Sequence, residues 1–461
     1  MLIANALRSS RSSRSLTNSI HPRLPICHGR TPTRPENANP RAQCQKRNIV
    51  GGTWRPSSVL DEWVAKEARP ISLRQLMVFG RSLTEARLIS SGNYVRTELP
   101  TRIAHRLRDM QQLPFAVVTN PHINDVYNLY YNAFESFRKI KEIKTLEDND
   151  HLCDVIGQNL KSHLTVIPKL AMGIHECDSL IGRVEVDKFM NTILRSRISR
   201  RVIAEQHLSL TETYNSPHFS PGAKLSESDF IGEVFIKCNA KTVIERCAET
   251  ATHIAKSINP PNVKIPEVQI NGHLDTSFPY ILSHLEYIIG ELLRNSVQAV
   301  IDRHQTHGSP DSDPHPIEVT IIEAAQHATI RISDRGGGIP RDELPYLWSF
   351  SKGPKTQERL KNLSRVPKMA ATMQELHVEE ELGRADLRAP SYPSSLASLA
   401  TRPPDLRLGL GLPLSRVYAE YWAGEIVLHS LEGYGVDAFL QISRLGNKNE
   451  QLTTRASMDA V

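Results

Sequence analysis

The chain has 461 residues, 39% of them hydrophobic and 23% charged, with a formal net charge of +6. That length accommodates two cores, and no run approaches the roughly 18 uninterrupted apolar residues of a membrane-spanning helix. The basic excess sits in the first 50 residues and the six cysteines form no C-x-x-C pair, so neither a nucleic-acid surface, a zinc site nor a disulfide framework is indicated.

Within residues 1–48, Arg8, Arg11 and Arg14 interleave with serines, and the first acidic residue is Glu36. An Arg-rich, Ser-rich, acid-poor start predicts a cleaved mitochondrial transit peptide, a disordered basic tail being the alternative. From 70 to 255 the pattern is helical. Val126, Leu129, Tyr130, Ala133, Phe134, Phe137 and Ile140 recur at the spacing of one helix face, and the length suits a four-helix bundle. The segments from Leu160 to Ile174 and from Phe189 to Leu210 read as further long helices.

After Asn259-Pro260-Pro261 the texture changes to short β-branched runs, Ile317 to Ile322 and Ala328 to Ser333. Ile426 to Leu431, a Glu432-Gly433-Tyr434-Gly435 turn and Val436 to Ile442 predict a hairpin. Residues 259–445 therefore read as a layered α+β domain, interrupted by a long polar insert at 355–407 and followed by a tail, 446–461.

Three elements of this second domain carry chemistry. Leu285 to Val300 reads as a helix whose apolar stripe is Leu285, Ile288, Ile289, Leu292, Leu293, Val297 and Val300. Glu291 and Asn295, four apart on its other face, are placed to converge on one water or metal, or else belong to a solvated polar face. Next, Arg331-Ile332-Ser333-Asp334-Arg335-Gly336-Gly337-Gly338 ends a strand in a carboxylate followed by three glycines. Asp334 there can accept from the exocyclic amine of adenine, or simply cap a glycine turn. Last, Gly409-Leu410-Gly411-Leu412 forms a glycine-rich turn into a helix from Ser415 to Tyr421, whose first N–H groups suit phosphates; an ordinary turn is the alternative. Neither a G-x-x-x-x-G-K-S/T loop nor the usual protein-kinase motifs occur.

In this order the three elements resemble the ATP site shared by gyrase, heat-shock ATPase chaperones, sensor histidine kinases and MutL proteins, the GHKL superfamily. Glu98-Leu99-Pro100-Thr101-Arg102-Ile103-Ala104-His105-Arg106, Leu113-Pro114-Phe115, Tyr280-Ile281-Leu282-Ser283-His284-Leu285 and Ser415-Arg416-Val417-Tyr418-Ala419-Glu420-Tyr421 look like the mitochondrial 2-oxo acid dehydrogenase kinases. The likeness runs from about Arg74 to Leu445, and several matches lean toward the branched-chain enzyme. It implies an N-terminal four-helix bundle followed by a GHKL-type ATP-binding α/β sandwich, acting as a matrix protein serine kinase with ATP and Mg2+.

The same resemblance implies roles. Glu291 would polarise the acceptor hydroxyl, Asn295 would ligate magnesium and Asp334 would bind adenine. Gly336, Gly338, Gly409 and Gly411 would admit the nucleotide, with Arg294 and Leu412 beside it. The implied substrate is the α subunit of a 2-oxo acid dehydrogenase, pyruvate or branched-chain, inactivated by phosphorylation. The implied docking partner is the lipoyl domain of the acyltransferase core, meeting the helical domain near Leu113-Pro114-Phe115 and the helix from Val126 to Phe137. A homodimer is also implied. Arg197 and Arg201, one helical turn apart, are spaced to grip a small carboxylate, or are solvated charges; the family's 2-oxo acid inhibitor pocket would add His163. Arg407, Leu414 and Val436 depart from the family pattern, as does a tail without an Asp-Trp motif. Two other readings of this ATP fold are a histidine kinase, with His105, His163 or His207 as acceptor, and a nucleotide-gated clamp.

Overall fold

A computed structural model describes residues 58–177, 179–216, 230–308, 312–350, 353, 361 and 409–452. The predicted transit peptide, nearly all of the 355–407 insert, Arg407 and the last nine residues of the tail lie outside the described residues.

Helices come first: α1 (Ser58–Val64), α2 (Leu73–Gly80), α3 (Glu85–Gln111), α4 (Phe115–Val118), α5 (Pro121–Arg138), α6 (Leu146–Ser162), α7 (Val166–Glu176) and α8 (Arg183–Asn215). Their starts are written locally. Ser72 with Gln75 and Thr145 with Asp148 form capping boxes, and Asn120 caps α5 ahead of Pro121. Helices α3, α5, α6 and α8 pack as a four-helix bundle, with α3 touching the other three. The predicted stripe of α5 is its core face: Val126, Tyr130, Ala133, Phe134 and Phe137 are buried.

The helix expected from Leu160 to Ile174 is broken. A single 3-10 turn, His163–Thr165, separates α6 from α7. Pro168 supplies the reason, because it has no N–H to donate to the carbonyl four residues back. The break leaves His163 buried in the bundle.

The second half holds β1 (Phe230–Ile231), β2 (Val234–Asn239), α9 (Ala240–Ile258), β3 (Val268–Gly272), β4 (Ser277–Ile281), α10 (Leu282–His307), β5 (Ile317–Glu323), β6 (His327–Asp334), α11 (Gly411–Tyr421), β7 (Glu425–Leu431) and β8 (Gly435–Ser443). Strands β1, β2 and β4 form a small sheet, and a five-stranded sheet runs β3-β5-β6-β8-β7. Only the β3–β5 pair of the larger sheet is parallel. Helices α9, α10 and α11 pack side by side, with α10 against β6 and α11 against β7, which makes the α/β sandwich. The predicted hairpin is β7–β8, closed at Leu431 and Gly435 around Gly433 at φ +82.

Several links tie the halves together, among them an ion pair and the C-terminal strip. Buried Arg195 of α8 pairs with Glu420 of α11. The second link is the C-terminal strip: Gly446 accepts from Arg74 N at 2.8 Å, Glu450 N donates to Ile71 O at 2.8 Å, and Gln451 N donates to Tyr421 O at 2.8 Å. The Glu450 carboxylate is buried against Arg102, 2.8 Å away, and also accepts from Ile71 N and the Tyr421 hydroxyl.

Candidate active site

Strand β6 alternates, burying Ala328, Ile330, Ile332 and Asp334. Period two thus delivers the carboxylate to the core face, beneath α10, as the last residue of the strand. There Asp334 Oδ2 accepts from Ser296 Oγ at 2.8 Å, and Oδ1 accepts from Gly336 N at 2.9 Å and Val436 N at 3.3 Å. Burial raises its pKa and these donors oppose the rise. Val436, paired opposite Asp334, has no hydroxyl to offer, yet its backbone N–H serves the carboxylate. Ser296 is a site residue that the sequence reading missed. It interrupts the apolar stripe of α10 with a buried hydroxyl, and that was its signal.

The three-glycine loop is fixed to the β7–β8 hairpin. Gly433 N donates to Gly337 O at 2.7 Å, Gly337 N to Tyr434 O at 3.1 Å and Ile339 N to Ser430 Oγ at 2.7 Å. Gly336 lies on α10, where a Cβ would come within 2.5 Å of Ala299 Cβ. Gly338, at φ +77, runs against the Leu431 carbonyl. Close backbone packing therefore demands these glycines, whatever ligand the loop also admits.

Helix α11 begins at Gly411 rather than at the predicted Ser415, since Pro413 is tolerated in a first turn. Gly409 lies just ahead at φ +70, and Leu412 packs partly into the core. Leu414, the second departure from the family pattern, is buried. A Cβ on Gly411 would collide with the Glu291 carboxylate. Glu291 is buried, its Oε2 accepts from Arg294 Nη2 at 2.5 Å, and the start of α11 places partial positive charge beside it. Asn295 is exposed one turn further along α10. The three predicted elements thus converge around α10, with Glu291 and Asn295 on it, Asp334 below and Gly411 against it. The polar face of α10 is covered at Tyr287 and Glu291 and open at Asn295.

His163, Arg197 and Arg201 come together in a separate cavity inside the bundle that opens partly to solvent. Burial, then Arg200 and Arg197, lower the His163 pKa to about 3, so its ring is neutral. His163 Nε2 is 3.2 Å from Leu129 O and its ring stacks on Tyr130. Arg201 donates to Glu205 at 2.5 Å. The sequence reading missed Arg200, which lines the same cavity.

None of the three candidate phosphoacceptor histidines is fully exposed. His207 is buried against Ser91, His163 lies in the cavity, and His105 points Nε2 at the carbonyls of Val64 and Lys66. This arrangement disfavours the histidine-kinase reading.

Comparison with known proteins agrees with this geometry. Residues 70–235 match the family described as mitochondrial branched-chain alpha-ketoacid dehydrogenase kinase, and 281–444 match the histidine kinase-, DNA gyrase B- and HSP90-like ATPase family. The chain is 33% identical to a Saccharomyces cerevisiae protein named pyruvate dehydrogenase (acetyl-transferring) kinase 2, mitochondrial, covering 91% of this chain and 89% of that one. It is 30% identical to the Arabidopsis thaliana mitochondrial pyruvate dehydrogenase kinase, covering 86% and 97%. Against mouse pyruvate dehydrogenase kinase isozyme 1, mitochondrial, it is 26% identical over 92% and 90%.

Proposed function

The chain belongs to the mitochondrial 2-oxo acid dehydrogenase kinase family, and from that premise we propose how it works as an ATP-dependent protein kinase of such a complex. The observation that carries the reading is the meeting of Glu291, Asp334 and the start of α11 around one helix. Asp334 accepts from the adenine amine, its oxygens set by Ser296, Gly336 and Val436. The phosphates lie toward the first N–H groups of α11, Gly411 and Leu412, with Arg294 alongside. The proton of a serine hydroxyl passes to Glu291 as the serine oxygen bonds to the γ-phosphorus and the bond to the bridging oxygen of ADP breaks.

Asn295 fits Mg2+. Its carboxamide is exposed on the same helix, and a cation carried by phosphates keeps waters and needs only one or two protein oxygens. When bound, the metal would neutralise phosphate charge.

Removing the adenine acceptor should uncouple binding. Asp334→Ala is expected to weaken ATP affinity about 10- to 100-fold, the worth of hydrogen bonds to a charged group. Calorimetric titration checks it, and near-wild-type affinity would overturn the adenine assignment.

Acceptor choice comes from docking, because the sequence carries none of the usual protein-kinase motifs that position a peptide. The aromatics of α5 are core, whereas Phe115, at the start of α4, is 75% exposed. It is the apolar contact we assign to the lipoyl domain. The names of the full-length relatives point to the pyruvate complex as acceptor and to a mitochondrial location, for which we propose the matrix, with the kinase as a homodimer. The cavity of His163, Arg197 and Arg201 would take a 2-oxo acid inhibitor.

The test is serine phosphorylation of purified pyruvate and branched-chain dehydrogenase components with labelled ATP. It is run alone, with the lipoylated acyltransferase core, and with a core stripped of lipoyl groups. Raised effective concentration should give at least a roughly tenfold faster rate with the lipoylated core. Equal rates in all three mixtures would sink the docking model, and absence of phosphoserine would sink the function.

A further inference from the structure

The cavity in the helical bundle contains more positive charge than one carboxylate needs. Arg197, Arg200 and Arg201 all line it, His163 is neutral, and no acidic side chain is among the lining residues. On α8 the three arginines sit at i, i+3 and i+4, so they form a triangle on one helix face, with Arg200 and Arg201 flanking Arg197. Arg201 shares its charge with Glu205, which is not among the lining residues.

Arg200 is the residue whose presence is hardest to explain as structure. It is 6% exposed, and its guanidinium lies 4.4 Å from the centroid of the Tyr130 ring. Nε donates to Ser196 O at 3.1 Å, while buried Nη2 has no hydrogen-bond partner. A guanidinium cannot shed its charge at any working pH, and a buried cation without a carboxylate is strongly destabilising. Burial indeed pushes the Arg200 pKa down, with the Tyr130 phenol opposing. Leucine at this position would pack against the same apolar walls without that cost. An orphaned donor on a buried charge points to an anion as its partner.

The rest of the lining narrows the class. Leu99, Ile103, Ile156 and Leu160 give the cavity hydrocarbon walls beside its arginines. A bare phosphate would offer these walls nothing, and a monocarboxylate fills only one guanidinium fork. A short chain of methylenes with a carboxylate at each end meets both requirements.

We propose that this cavity takes a small dicarboxylate in preference to a monocarboxylate, with Arg200 selecting for the second negative charge. The proposal rests on reading the cavity as the regulatory 2-oxo acid site and names the ligand class of that site.

The experiment titrates full-length protein with 2-oxoglutarate, pyruvate and inorganic phosphate by calorimetry, and follows kinase inhibition by each in parallel. Wild type is compared with Arg197→Ala and Arg200→Leu, with Arg200→Gln as a second variant should the leucine protein fail to fold. Wild type should bind 2-oxoglutarate at least about tenfold more tightly than pyruvate, the worth of one further charged hydrogen-bonded contact. Arg200→Leu should bring the two acids to within about threefold of each other by weakening only the dicarboxylate. Arg197→Ala should weaken both. Equal affinity of the two acids in wild type, tighter binding of phosphate than of 2-oxoglutarate, or an unchanged ratio in both Arg200 variants overturns the dicarboxylate class. If in addition Arg197→Ala still weakens pyruvate, the regulatory cavity stands without it. If no acid binds wild type, or Arg197→Ala changes nothing, the cavity reading falls and takes this proposal with it.

Discussion

Glu291→Gln is expected to lower the phosphorylation rate by about 10²- to 10⁴-fold, the range for loss of a positioned general base. ATP affinity should move by no more than about threefold, because the adenine contact we propose lies on Asp334 and not on Glu291. The substitution preserves volume, and that matters here. The carboxylate fills the space left by the missing Cβ of Gly411, so a shorter side chain would open a gap at the start of α11 and confuse chemistry with packing. Glutamine keeps an oxygen for Arg294 while removing the negative charge that a departing hydroxyl proton needs. Single-turnover phosphorylation and nucleotide titration on the same preparation separate the two effects. Parallel losses of rate and affinity would make Glu291 a structural residue that holds Arg294 and α11 in place.

Much of this site is legible in the sequence because its parts obey local periods. Four-residue spacing puts Glu291 and Asn295 in line on α10, and strict alternation along β6 carries Asp334 to the buried face. The fold class follows similarly from the change of period after residue 259. Other features depend on partners far away in the chain, and no period reports those. Glu450 meets Ile71 across 379 residues and Arg195 meets Glu420 across 225. Ser296 and Arg200 fall between these cases. Each stands where an apolar stripe or a carboxylate-gripping pair already has an explanation, so a polar side chain there reads as incidental until its partner is seen. The start of α11 was misplaced by four residues because glycine and proline signal a turn, although both are tolerated in the first turn of a helix.

The strip after β8 turns out to be a structural clasp, and its central residue should be costly to lose. The Glu450 carboxylate, fully buried, receives Arg102 of α3, the backbone N–H of Ile71 and the hydroxyl of Tyr421 at the end of α11. It therefore joins the helical bundle to the same helix whose first residue abuts Glu291. Arg102 also pairs with Glu98, 3.2 Å away, so it retains one carboxylate when Glu450 is removed. Breaking a buried pair costs about 3–5 kcal/mol, and the remaining Glu98 contact places Glu450→Ala near the lower end, at about 3 kcal/mol. Urea unfolding followed by fluorescence measures it. Arg102→Met combined with Glu450→Ala should cost clearly less than the sum of the two single changes, because each removes a charge that the other leaves stranded. Additive losses would show that the two side chains are stabilised independently, and a Glu450→Ala protein as stable as wild type would remove the clasp altogether.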